Sequence, residues 1–269
     1  LVQAMKSDQF EALRECVCRA ADEELLGRFN HVSVAYKADG SVVTAADLAM
    51  QQRLQRELGS LFPEYGFLAE EMENDRQRQQ LASSPQGLWV LDPLDGSSNF
   101  AAGVPYFCVS LALLHRGVVQ LGIVYDPVRR ECFYCHSGAG VWLNRGRLGG
   151  TRTHVPMEKS IALIDFKRLP KDLAGRLATS PPYASQRSFG SVALDFCWLA
   201  AGRVNIYLHG RHNLWDYAAG LSILQQAGGQ ACTLEGKQNT PLDMHPRSSA
   251  AALDPELFEE WCHWLGLRQ

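Results

Sequence analysis

The sequence has no surplus of charge of either sign: 26 Lys and Arg stand against 29 Asp and Glu, a formal net charge of −3. No broad basic field is therefore offered to a nucleic-acid backbone or an anionic membrane surface, and no nucleic-acid or membrane partner is expected. Long hydrophobic runs are also lacking. The most apolar stretch, 104–114, stops at His115-Arg116, well short of the ~20 residues a membrane-spanning helix needs. The first residues turn acidic and polar almost at once, so no signal peptide is expected. There are eight cysteines, but no second C-x-x-C pair or histidine cluster completes a zinc or redox site around Cys132 and Cys135. Thiols set in apolar patterns read as buried and free, which fits a reducing cytoplasm. With 269 residues, no repeat and no low-complexity segment, the chain suits one large domain or two closely packed halves.

The periodicity that is present divides the chain unevenly. Helical spacing of Phe10, Leu13, Val17, Leu25 and Leu26 predicts a helix over 8–30. A turn is expected at 38–41. A second helix is expected over 44–58, with Thr44 and Asp47 in the pattern of a capping box. Strands are expected at 66–70, 88–92, 106–115, 118–125 and 131–136, with a polar loop or short helix at 75–84. The Gly-, Arg- and Thr-rich stretch 144–156 reads as a boundary loop. Beyond it come strands at 160–165, 204–208 and 231–234, and helices at 173–177, 191–200, 215–227 and 255–265. The expected fold class is α/β with an α+β first half, in stacked layers of helix and sheet. One compact unit is expected, with residues 1–145 carrying most of the acids of interest and residues 146–269 carrying Asp216.

The most informative stretch is LWVLDPLDGSSNF at 88–100. Pro93 cannot donate to a sheet ladder and pushes its predecessor to an extended conformation, so the strand is expected to stop at Asp92. A turn through Pro93-Leu94-Asp95-Gly96 then brings Asp92 and Asp95 to one side. Two nearby carboxylates repel unless a positive charge intervenes, and the nearest basic residues in sequence are Arg78 and His115. A bound divalent cation resolves the repulsion, and all-oxygen ligands favour Mg²⁺, Ca²⁺ or Mn²⁺ over zinc. The plainer alternative is an ordinary strand-end turn. Gly96 allows close backbone approach, and a helical turn starting there presents free N–H groups suited to phosphate. Glu70 ends an expected strand as Asp92 does. Asp216 stands at the start of an expected helix, where it also suits an N-cap.

Together these segments resemble the inositol monophosphatase family of metal-dependent phosphatases. The matching residues are Val43-Thr44-Ala45-Ala46-Asp47, Glu70-Glu71, Asp92-Pro93-Leu94-Asp95-Gly96-Ser97-Ser98-Asn99-Phe100 and Trp215-Asp216-Tyr217-Ala218-Ala219-Gly220. The resemblance implies an αβαβα layered sandwich of the inositol monophosphatase and sugar phosphatase type, a homodimer, lithium sensitivity and two or three Mg²⁺ ions per subunit. It implies that Glu70, Asp92 and the Leu94 carbonyl hold the first metal, and Asp92, Asp95 and Asp216 the second. A third, weaker metal would meet Glu70 largely through water. Gly96 and Ser97 would bind phosphate through their N–H groups, and Asp47 and Ser97 would orient the attacking water. Gly190, Ser191 and Val192 match the segment lining the substrate pocket.

The implied activity is hydrolysis of a small phosphorylated polyol or sugar, with inositol monophosphate first. Fructose-1,6-bisphosphatase and adenosine 3′,5′-bisphosphate phosphatase are the alternatives on this fold. A non-catalytic binding or regulatory protein is the alternative of another class. Ser97 stands where many members carry Thr, with the hydroxyl kept. His209, seven residues before Asp216, stands where members acting on inositol monophosphate commonly place a Glu. Lys37 is near a position often occupied by a cleft Lys. Arg187, Arg203 and Arg211 are candidates to grip a second phosphate.

Overall fold

A computed structural model describes residues 7–31, 34–36, 42–84, 86–136, 140–149, 154–238 and 242–267. Lys37 and the turn expected at 38–41 lie outside them. The chain opens with α1 (Ser7–Glu24), shorter than the helix expected to 30 because a 3₁₀ turn takes over at Leu26–Arg28. Two short strands, β1 (Val34–Tyr36) and β2 (Val42–Thr44), pair antiparallel. At three residues each they carry too little alternation to be read from sequence. Next come α2 (Ala45–Leu61), β3 (Gly66–Ala69), α3 (Asn74–Ser83), β4 (Leu88–Asp95) and α4 (Ser97–Ala101). A meander follows: β5 (Cys108–His115), β6 (Val118–Asp126), β7 (Glu131–His136), β8 (Gly140–Leu143) and β9 (Gly146–Leu148). Strands β3 to β9 form one sheet in chain order, antiparallel except where β3 meets β4. The division expected after residue 145 falls in the turn joining the paired β8 and β9, so this sheet runs to Leu148.

The second sheet is built from β10 (Ile161–Asp165), β11 (Ser185–Arg187), β12 (Ile206–His212), β13 (Gln230–Cys232) and β14 (Arg247–Ala252), in the order β11-β10-β12-β14-β13. The helices between and after them are α5 (Lys171–Thr179), α6 (Val192–Ala200), α7 (Leu214–Gln226) and α8 (Pro255–Leu265). Strand β14 was not expected, because Arg247-Ser248-Ser249-Ala250-Ala251-Ala252 has little β propensity. Its small side chains suit a strand covered on both faces: Ala250, Ala251 and Ala252 are fully buried.

Three apolar layers hold five structural layers together. Leu13, Val17, Met50 and Leu54 of α1 and α2 pack on Trp89, Leu91, Val109 and Leu111 of the first sheet. The alternate residues of those strands, Val90, Cys108 and Ala112, face Phe196, Tyr217 and Leu221 of α6 and α7, which also meet Leu163 and Tyr207 of the second sheet. The far face of that sheet buries Ile164, Ile206 and Ala252 against Phe258 and Trp261 of α8. This is the αβαβα sandwich. Sheet residues buried on both sides explain why β4 and β5 read as continuous apolar runs. Cys132 and Cys135 of β7 enter different cores, so their C-x-x-C spacing does not bring them together. Among the described residues no helix is long and apolar enough to cross a membrane.

Candidate active site

The site begins with a departure from expectation in β4. The strand does not stop at Asp92; it continues through Pro93 and Leu94 to Asp95. Opposite it, Asp92 pairs with Ser110 but Asp95 pairs with Cys108, so β4 carries one extra residue there. In a regular strand, residues three apart point to opposite faces. The bulge removes that offset, and Asp92 and Asp95 both line one cleft. Pro93, which has no N–H to give, sits where the ladder is interrupted.

The cleft measures about 290 Å³ and is lined by Glu70, Asp92, Leu94, Asp95, Gly96, Ser97, Ser98 and Asn99 from the first half. Asp165, Lys167, Arg168, Gly190, Val192, His209 and Asp216 come from the second. Glu70 directly follows β3 and Asp216 lies in the first turn of α7, so acids from three regions converge. Asp216 is not the helix cap. Asn213 is, and Asp216 is its capping-box partner, accepting the Asn213 N–H at 2.7 Å. Asp92 is 2 % exposed and accepts the Leu94 N–H at 3.0 Å. Burial, then the charges of Glu70, Asp95 and Asp216, push the Asp92 carboxyl well above the usual range. Burial and Glu70 do the same to Asp216.

Asp95 ties the halves together. It accepts the Ser191 hydroxyl at 2.8 Å and the Ala193 and Val192 N–H groups at 2.6 and 3.2 Å. Burial still raises its carboxyl to about 6. Ser191 is thus turned onto Asp95 rather than lining the cleft, whereas Gly190 and Val192 do line it.

Asp47 sits at the third position of α2, fully buried. Its Oδ2 accepts both the N–H and the hydroxyl of Thr44 at 2.7 Å, so the expected capping box is made. Its Oδ1 accepts the Ser97 hydroxyl at 3.0 Å. That hydroxyl also lies 2.8 Å from the Leu94 carbonyl, and its single proton serves one acceptor at a time. Burial raises the Asp47 carboxyl. Gly96 is left-handed, at φ 97°, and a Cβ there would meet the Tyr106 carbonyl at 3.0 Å. Only glycine turns the chain from β4 into α4 without strain.

His209 lies on β12, not in a loop. The Arg211 N–H donates to its Nδ1 at 3.2 Å, so Nε2 carries the proton, 2.8 Å from Asp165 Oδ2. Hydrogen bonding to His209 holds the Asp165 carboxyl below its usual range. Asp165, Lys167 and Arg168 were missed in the sequence. The signal for Asp165 was present: an acid ending an expected strand, as with Glu70 and Asp92.

Conversely, Arg187, Arg203 and Arg211 do not line the cleft. Arg187 bonds Ser185 and Gln186, Arg203 pairs with Glu131, and Arg211 borders a separate pocket beside Lys237.

The acids form an all-oxygen set suited to a hard divalent cation. Among the described residues no ion pair reaches Asp92, Asp95 or Asp216; the Arg168 charge acts on Asp216 without ion-pair contact and is outweighed by burial and the charges of Glu70 and Asp95. Nor do three His, Cys, Asp or Glu side chains there stand in ready metal-ligand geometry. The carboxylates share a cleft and each other's field while their oxygens are held by protein N–H groups.

The chain is 31% identical over 239 residues to "Nus factor SuhB" of Xylella fastidiosa, covering 84% of this chain and 82% of that one. It is 32% identical over 200 residues to "Fructose-1,6-bisphosphatase/inositol-1-monophosphatase" of Thermotoga maritima, 73% of each. The solved structure of a Thermotoga maritima IMPase superposes with a TM-score of 0.79 at 26% identity, covering 96% of this chain and 98% of the other. The profile of the inositol monophosphatase family matches residues 6–264, and the chain belongs to that family.

Proposed function

We propose that this protein is an Mg²⁺-dependent phosphomonoester hydrolase acting on a small phosphorylated polyol or sugar. The observation that carries the reading is the convergence of Glu70, Asp92, Asp95 and Asp216 in one cleft beside the bonded pair Asp47 and Ser97. In this reading Glu70, Asp92, Asp95, Asp216 and the Leu94 carbonyl hold two or three ions. Bound ions lower the pKa of water, neutralise phosphate and steady the leaving oxygen. The donor set fits them, because Asp92, Asp95 and Asp216 are buried carboxylates with raised proton affinity, and such groups gain most from a cation.

The chain's own residues do the positioning. Asp47, fixed on one oxygen by Thr44, accepts the Ser97 proton on the other. The Ser97 lone pairs are then free to accept from the attacking water. The Gly96 and Ser97 N–H groups open α4, where the first N–H groups have no partner within the helix, and bind phosphate oxygens. Uncatalysed phosphate-monoester hydrolysis is slow enough to require up to ~10²¹-fold acceleration. A single general base gives ~10²–10⁴, which is why the reading needs the ions.

Release of phosphate from myo-inositol 1-phosphate and a panel of sugar phosphates, with and without Mg²⁺, tests it. Mg²⁺-dependent release is expected; none from any phosphomonoester would end the reading. Dimerisation and lithium inhibition rest on the family resemblance alone. Similarity to a protein named a Nus factor keeps a regulatory reading in view. A partner retained equally by wild type and Asp95→Asn, with no phosphatase activity in either, would favour it.

A further inference from the structure

We infer that the phosphomonoester bound in this cleft carries a second anionic group, a phosphate or a carboxylate, gripped by Lys167 and Arg168. This rests on the phosphatase reading above and specifies its substrate. Both residues lie on the 3₁₀ turn Phe166–Arg168 that follows β10, and both line the cleft. Among the described residues neither forms an ion pair. Arg168 spends one of its five N–H donors on the Arg211 carbonyl, at 3.2 Å. An ammonium and a guanidinium side by side at a small-ligand cleft, with donors to spare, match an anion in charge and geometry. The acids of the first sheet would be engaged with the reacting phosphate's ions, and among the described residues lining the cleft the basic side chains are Lys167, Arg168 and His209, all on this wall.

The turn is built to stay in place. A Cβ at Gly210 would overlap the Arg168 carbonyl, so the bulged part of β12 packs directly under the turn's backbone. Asp165 caps the turn by accepting the Lys167 N–H at 2.8 Å. The same carboxylate takes the His209 Nε2 proton. Asp165 therefore supplies the fixed anionic acceptor that His209 does not, and His209 positions it. The wall offers one acceptor for a hydroxyl and two cations for an acid.

Two matched substrate pairs test this. 6-Phosphogluconate and glucitol 6-phosphate differ at the far end by a carboxylate; fructose 1,6-bisphosphate and fructose 1-phosphate differ by a second phosphate. The wild type is expected to favour the doubly anionic member of at least one pair by about tenfold or more in kcat/KM, through KM. The pair that shows it names the anion. In Lys167→Ala/Arg168→Ala that ratio should fall to near one.

Equal rates within both pairs in the wild type would overturn the inference. So would a double variant that weakens both members equally and keeps the ratio, which would mean the cations serve the carboxylate cluster. Calorimetry with Ca²⁺ in place of Mg²⁺ reads the same preference as binding, without turnover. Should no substrate be hydrolysed, the phosphatase reading fails, while the binding preference alone decides the fate of the cationic wall.

Discussion

Ser97 donates a 3.0 Å hydrogen bond to Asp47, joining residues 50 positions apart in the chain. The acceptor is not free to swing, because Thr44 holds its other oxygen twice at 2.7 Å. One residue thus completes a capping box and aims a hydroxyl. The competing acceptor of Ser97 is the Leu94 carbonyl, so whatever engages that carbonyl releases the hydroxyl to Asp47.

Ser97→Ala is expected to lower kcat by ~10²–10⁴ while leaving Mg²⁺ affinity nearly unchanged, since it removes an orienting group from proton transfer. Asp47→Asn should show a similar loss and cost about 1 kcal/mol of stability through the weakened helix start. Steady-state kinetics and thermal melts separate the effects. A kcat that tracks the melting temperature would make Asp47 a structural capping-box partner only.

Asp92→Asn and Asp216→Asn should each reduce activity by on the order of 10³ or more, given the several kcal/mol that metal ions contribute. Without Mg²⁺ both variants should melt at or above the wild-type temperature. An Asn oxygen still accepts the Leu94 or Asn213 N–H, and one repelling charge is gone. Lower metal-free melting temperatures in both would argue against the shared acid cluster.

The cluster should also make metal binding pH-dependent. Asp95 is raised from 3.8 to about 6, and Asp92 and Asp216 are raised as well. The folded, metal-free protein therefore holds these protons more tightly than the unfolded chain. Their contribution favours the fold below about 3.8 and turns against it as pH rises through about 6. Buried His212, lowered well below 6.5, acts in the opposite sense, so the Mg²⁺-induced shift is the clean readout. Mg²⁺ near 100 times its Kd should stabilise by ~2.7 kcal/mol at pH ~7 and by clearly less at pH ~5, because protons compete for the same oxygens. A shift independent of pH would contradict the carboxylate ligand set.

Gly210→Ala forces a Cβ into the Arg168 backbone, an overpacking cost of typically ~1–3 kcal/mol. The turn carrying Lys167 and Arg168 should move while β3, β4 and α7 do not. KM is expected to rise several-fold with Mg²⁺ affinity retained. Unchanged KM in a folded variant would show that the turn does not contact substrate.

Much of the site was legible because its residues are local in sequence: the Thr44 and Asp47 capping box, the acids at strand ends, and the Asp-Pro-Leu-Asp-Gly-Ser block. Its failures have specific causes. Pro93 read as a strand terminator, but the bulge against β5 absorbs the missing N–H and keeps the strand going to Asp95. Strand β14 hid behind Ser and Ala, whose small size is set by neighbours on both faces. Arg187, Arg203 and Arg211 are candidates by residue type, but a long side chain's partner is set by the fold: Ser185 and Gln186 for Arg187, Glu131 for Arg203, and a separate pocket for Arg211.

The sequence by itself determined the inventory: an all-oxygen set of acids, a hydroxyl after a glycine, and alternating apolar patterns sufficient for layered sheets. These follow from chemistry within a few residues of each other. Only the tertiary structure decided which acids share a cleft, that Asp95 bonds α6 as well as facing that cleft, and that Asp165 stands behind His209 with Lys167 and Arg168 alongside. Those relations join segments tens of residues apart through sheet register and backbone contact. Register is fixed by the packing of whole faces against one another, which no single stretch of chain contains.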